Sequence, residues 1–275
     1  MTYSLTEAEA THQSTALPSR LRVAVGGRVP GVLAFAALIL SWQLTIVLGD
    51  VPELLLPGPM AVLEQFGQVW DIGLLQSAFI DTLVALGIGL LLGIPAGILL
   101  GLLIGSAPRV DLALGPYMWG LFSTPDIALV PIVILWFGFG LETKVWMVFL
   151  AVTVPLALNC KDGVRTVDDS LVRMGLSSCA GRLDMFTRII VPSTLPSIAT
   201  GVRNGIARGF VGVLVVEMTV GTSGLGREVM YSMRQFNTAR MFVFVGVLIV
   251  LAIFLITLSR RLESYVSRWR EEVVL

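Results

Sequence analysis

The sequence predicts an all-α, multi-span membrane protein, and three observations carry that reading. Of 275 residues, 55% are hydrophobic and only 14% charged, whereas about a quarter of a soluble domain is charged. Mean hydropathy is strongly positive. Six apolar stretches also approach the roughly 20 residues that a membrane-crossing helix requires. A formal net charge of zero suggests no nucleic-acid partner.

Residues 1–29 are polar and turn-rich and contain the single histidine, His12. They show no short apolar core followed by a small-residue cleavage site, so they read as a cytoplasmic tail leading into a retained first span. The predicted spans are Pro30–Leu48, Ser77–Gly105, Val110–Phe137, Lys144–Asn159, Pro196–Val220 and Ala239–Ser259. Residues 30–265 thus form one transmembrane domain, with a polar loop at about 160–195 between spans four and five and a cytoplasmic tail at 266–275. Pro125 and Pro131 predict a break in the third span, because proline withdraws a backbone donor. Lys and Arg set the orientation. With the N-terminus inside, thirteen fall in inner segments and four (Lys144, Arg227, Arg234, Arg240) in outer ones. Both termini are therefore expected in the cytoplasm.

Gly89, Gly93, Gly97, Gly101 and Gly105 recur every four residues along the second span. That spacing gives one smooth helix face for close approach of another helix. The polar loop reads as two short helices. Asp168, Asp169 and Ser170 suit the start of the first, as caps and as negative charge at the positive end of its dipole. Gly181 supplies a turn; in the second piece Leu183, Phe186 and Ile190 fall on one face, with Arg182, Asp184 and Arg188 on others. Pro192 and Pro196 are expected to end that helix and restart the chain as the fifth span. Such an amphipathic piece suits either the lipid interface or a groove on a partner protein.

Ionisable residues inside spans cost several kcal/mol and are functional candidates. Here they are Asp126 in the broken span and Arg208 and Glu217 in the fifth. Arg208, about 15 Å into its span at 1.5 Å per residue, either faces a pathway for an anionic substrate or pairs structurally with Asp126 or Glu217. Cys160 and Cys179 lack metal-ligand spacing and read as small packing residues. The chain has no phosphate-binding G-x-x-x-x-G-K-[ST] motif and no nucleophile–base pair in a span, so it is not expected to be an enzyme by itself. An ion-coupled secondary transporter would show internal repeat symmetry, and none is evident. A membrane anchor for a non-transporting ATPase complex would need no polar pathway.

The polar loop resembles the coupling loop of ABC importer permeases, whose signature is Glu-Ala-Ala, three residues, Gly, and later an apolar residue before Leu-Pro. Set on Phe186 and Pro192, the Glu slot is Arg173, the third-position Ala slot is Gly175 and the Gly slot is Cys179. From about residue 30 to 270 the chain is similar to the nitrate/sulfonate/taurine/bicarbonate branch. The matching pieces, in order, are Trp42, LLPGPMAVLEQF (55–66), GIGLLLGIPAGILLG (87–101) and PDIALVPIVILWFGFG (125–140). Then come Asn159, Gly163, VDD (167–169), IIVPSTLPSIATGVR (189–203), Glu217 and GLG (224–226).

The resemblance implies the transmembrane domain of a type I ABC importer. Asp168, Asp169, Arg173, Gly175, Cys179, Gly181, Arg182, Phe186 and Pro192 would then belong to the surface that couples to a dimer of cytosolic ATP-binding subunits. ATP and Mg would be bound there and no cofactor by this chain. A second permease subunit, a further copy or a different one, would complete the pathway, and an extracytoplasmic solute-binding protein would deliver a small anion or organic acid.

Overall fold

The computed structural model describes residues 29–266, and all regular structure among them is helical. The described residues up to Asp50 belong to one unit and those from Val51 onward form a second, compact one. The first contains α1 (Val29–Gly49), an almost uniformly apolar helix where the first span is predicted. The predicted N- and C-terminal tails, with His12, lie outside the described residues.

The second unit is a bundle built around three long helices: α3 (Leu74–Ser106), α6 (Leu141–Arg165) and α9 (Val191–Val220). Helix α2 (Pro59–Asp71) precedes them in sequence, and between them come α4 (Pro108–Ser123), α5 (Asp126–Phe137), α7 (Asp169–Ser177) and α8 (Arg182–Met185). Helices α10 (Leu225–Arg234) and α11 (Thr238–Val266) follow. Among the described residues four helical stretches are long and apolar enough to cross a membrane, or five if the bent pair α4–α5 forms one span. Helix α1 holds a shorter apolar stretch, Ala36–Gly49. The short amphipathic helices α2 and α10 are not among the predicted elements.

Helix α6 sits at the centre because both of its neighbours present glycine to it. A Cβ at Gly89 would lie 2.4 Å from Val148 Cβ, and one at Gly101 would lie 2.4 Å from the Ala157 carbonyl oxygen. Gly93 and Gly97 abut Val152 and Leu156 in the same way. On the other side a second stripe, Gly201, Gly205 and Gly209 of α9, closes on Leu156 and Val152. Its spacing is plain in GVRNGIARG, where the arginines draw the eye instead. Squeezed between the two stripes, every residue of α6 from 151 to 158 is buried. Dispersion contacts at this spacing are what hold helices together where no water drives association.

Three predicted boundaries are corrected. The third span does break, bending by 106° between α4 and α5, but only at Thr124–Pro125. Pro131 lies inside α5 without interrupting it. Helix α6 runs on to Arg165, so the polar loop starts later than residue 160. Pro192 and Pro196 do not end one helix and start another: the chain is helical from Arg182 through a π-helical turn, Phe186–Ile190, into α9. A proline lacks the donor and crowds the carbonyl four residues back; widening the preceding turn to a five-residue repeat is one way a helix absorbs such a residue.

Candidate functional site

Three places hold most of the site residues that the sequence singled out. The first lies where α3, α6 and α9 meet the start of α10. Lys144 Nζ is 3.0 Å from Glu217 Oε1, with the two side chains 2% and 0% exposed. The ammonium also donates to the Ser223 carbonyl (2.7 Å) and hydroxyl (3.1 Å). Glu217 accepts from the Thr82 hydroxyl at both oxygens (3.0 Å) and, at Oε2, from the Gly226 backbone N–H (2.9 Å). The Thr82 oxygen in turn accepts the Leu225 N–H at 2.9 Å.

The GLG piece therefore serves Glu217. Gly224 stands at φ 104°, and a Cβ there would fall 1.9 Å from Glu217 Oε1. The left-handed backbone and the missing side chain together admit the carboxylate to the first amides of α10, where a negative charge suits the helix dipole. Glu217 is thus paired with Lys144 rather than with Arg208. Its partner, Lys144, is counted by the sequence among outer-loop charges and is instead buried. The available signal was its rarity, one of two lysines, at the edge of an apolar span.

The second place is a small cavity between α4, α5, α6 and α9, lined by Phe122, Asp126, Leu129, Leu150, Val154 and Arg208 among others. The structure brings Asp126 and Arg208 to one cavity, yet among the described residues neither makes an ion pair. The Arg208 guanidinium lies over the Phe122 ring, 4.8 Å from its centroid, a contact worth about 0.5–1 kcal/mol at an exposed site. Arg208 is exposed and shares a face of α9 with exposed Asn204, Ala207 and Val211. The cavity is about 20 Å³, room for roughly one water. No organic substrate fits until a lining helix moves.

The third place is the polar loop. Asp168 caps α7 by accepting the Ser170 N–H at 2.7 Å. That bond, with the Ser170 hydroxyl, holds its carboxyl below the usual carboxylate range. Asp169 occupies the first turn. Helix α7 ends with the Ala180 N–H on the Gly175 carbonyl (3.0 Å) and the Cys179 N–H on the Leu176 carbonyl (3.0 Å). This paired closure needs a left-handed residue between helix and loop, and Cys179 supplies it at φ 54°. The glycine in that slot of the coupling signature has its physical reason here.

Gly175 is buried where a Cβ would meet the ends of Met185 and Ile189, so α7 folds back onto the α8–π segment. Gly181 caps α8 with extended backbone. Leu171, Met174, Leu176 and Leu183 are exposed, Leu183 at 75%, while Phe186 and Ile190 are partly buried. Leu183, Phe186 and Ile190 are thus not one buried face: Leu183 points away. Arg173 and Arg182 are exposed, and Arg188 pairs with Asp184 at 3.1 Å.

An apolar, partly open surface on a polar loop, joined through α6 and α9 to the helices that line a small cavity holding Asp126 and Arg208, is the layout of a coupled transporter. The sequence profile for binding-protein-dependent transport system inner membrane components matches residues 93–270. The chain belongs to that family. It is 31% identical over 267 residues to SsuC of Bacillus subtilis strain 168, whose name assigns it to aliphatic sulfonates transport, covering 96% of this chain and 94% of that protein. The riboflavin transport system permease protein RibX of Chloroflexus aurantiacus is 32% identical, covering 84% of this chain and 87% of RibX. The taurine transport system permease protein TauC of Escherichia coli K12 is 29% identical, over 86% and 88%.

Two solved structures share the fold. One is an amino acid ABC transporter (TM-score 0.60, 17% identity, 74% of this chain and 96% of that one). The other is the inward-facing MetNI methionine ABC transporter (TM-score 0.55, 17% identity, 78% and 96%). This permease has the transmembrane fold of a type I ABC importer and is a membrane component of such a transport system.

Proposed function

We propose that the permease carries a small anion or organic acid across the bacterial cytoplasmic membrane, driven by a separate cytosolic ATP-binding subunit that docks on α7–α8. In this arrangement both termini and the polar loop are cytoplasmic, and a second permease subunit, favoured as a second copy, completes the pathway. A solute-binding protein delivers substrate on the far side, and ATP and Mg stay on the docked subunit. Asp168, Asp169, Arg173, Gly175, Cys179, Gly181, Arg182, Phe186 and Pro192 build or flank the docking surface. Arg208, with Asp126 beside it, marks the substrate pathway. The anion reading follows from Arg208: an open guanidinium midway along a span is tolerated where it meets a polar cavity rather than lipid.

The observation that carries the coupling reading is the exposed Leu171–Met174–Leu176–Leu183 surface on a loop whose ends are fixed in α6 and α9. The test is tagged purification of the chain from its native membranes, with a Leu183→Asp variant inserted to the same level. Recovery of an ATP-binding subunit with the parent and its loss with the variant is expected. Equal recovery from both would remove α8 as the docking site, and recovery from neither would favour an ion-coupled transporter.

A further inference from the structure

At the end of α6 nearest the coupling loop lies another charged cluster, outside the sites above. Lys161 Nζ sits 2.5 Å from Asp111 Oδ1, and Arg165 pairs with Asp111 Oδ2. Lys161 is 7% exposed at its side chain and Asp111 18%, so the pair is largely shielded from solvent. Gly115, one turn further along α4, leaves the space: a Cβ there would lie 2.8 Å from Asp111 Oδ1 and 3.5 Å from Lys161 Nζ. The two cations occupy one face of the last turns of α6, and only residues 166–168 separate Arg165 from α7.

The other end of this connection is the Arg208 cavity. Asp111 is in the first turn of α4, and Phe122, the ring under Arg208, is in the last. Eleven residues of helix at 1.5 Å each place them about 16 Å apart along α4. The bend that follows delivers Asp126 to the same cavity.

We propose that Asp111, clamped by Lys161 and Arg165, transmits movement of the coupling loop into the α4–α5 wall of the Arg208 cavity. Displacement of α7 pulls on the last turn of α6; the clamp carries α4 with it, and Phe122 and Asp126 move relative to Arg208. Asp111 is a positioning residue in this scheme and touches no substrate. The inference rests on the coupling reading above.

The test uses the full chain purified with its ATP-binding subunit and carrying a Leu121→Cys reporter at the cavity. Cys160→Ala and Cys179→Gly remove the native thiols. Labelling by a cationic methanethiosulfonate is measured with and without ATP plus vanadate. In this background, trapping nucleotide should change the labelling rate at least about fivefold, the lower end for coupled sites. Asp111→Asn should still recover the ATP-binding subunit and hydrolyse ATP, but with a labelling change within about twofold. Asp111→Glu, which keeps the charge, should retain most of the response. A full response in Asp111→Asn, an equal loss in Asp111→Glu, or no response in the background would each overturn the clamp while leaving docking intact. Failure to recover the ATP-binding subunit from the unmodified chain would bring down the coupling reading first and the clamp with it.

Discussion

Glu217 and Arg208 stand nine residues apart on one helix, and the bundle treats them in opposite ways. Glu217 is sealed from solvent and satisfied by an ammonium, a hydroxyl and a backbone amide. Arg208 is open, rests on an aromatic face and has no acidic partner among the described residues. A charge that completes its bonds inside the protein fixes helices; a charge left incomplete at a cavity retains capacity for a ligand. Placement within a span therefore marks a residue as consequential without saying which of the two it is.

The sharpest way to break this contrast is to remove one half of the buried pair. Lys144→Met should destabilise the purified permease by about 3–5 kcal/mol, because it strands a buried carboxylate. Adding Glu217→Gln should recover most of that loss, since the amide still accepts from Gly226 and Thr82. Thermal unfolding in nanodiscs reads both, and a stable single variant would refute the latch.

Arg208→Gln should do the reverse. Its loss of stability should stay below about 1 kcal/mol, the value of an open cation–π contact. Uptake of a small anion, chosen as one that the parent complex accumulates, by vesicles carrying the whole complex should fall at least about tenfold, equivalent to 1.4 kcal/mol. An unfolding temperature that drops as far as that of Lys144→Met would make Arg208 structural too.

Smaller effects belong to the coupling loop, which is exposed like the Arg208 face. Cys179→Gly should stabilise the chain by about 1 kcal/mol, by relieving a side chain held in the left-handed region, with docking retained. Unfolding temperature and co-purification check the two halves of that statement.

The smallest effect expected is a pH step at Asp168. Its carboxyl is held low in the folded state, so its contribution is present above the unfolded carboxylate range and lost as pH falls through the folded value. Amide exchange over 170–172, corrected for intrinsic rates, should rise on acidification in the parent and stay flat in Asp168→Asn, which caps without titrating.

Much of this was legible locally. Apolar length placed the spans, four-residue glycine spacing marked one helix contact, and the pieces of the coupling loop appeared in order, down to the cap at Asp168. The misreadings share a cause. Pro192 reads as a helix end because local rules treat proline as a breaker, whereas here the wider π turn precedes it. Lys144 reads as a loop charge because it lies at a span boundary, where a few residues decide between water and core.

The sequence by itself determined that this is a helical permease with a coupling loop, because composition, periodicity and ordered motifs are properties of neighbouring residues. Only the tertiary structure decided that Glu217 belongs to Lys144, 73 residues away, and that Arg208 belongs to no acid among the described residues. Charge pairing depends on which helix faces meet, and that follows from where the two glycine stripes let α3 and α9 close on α6.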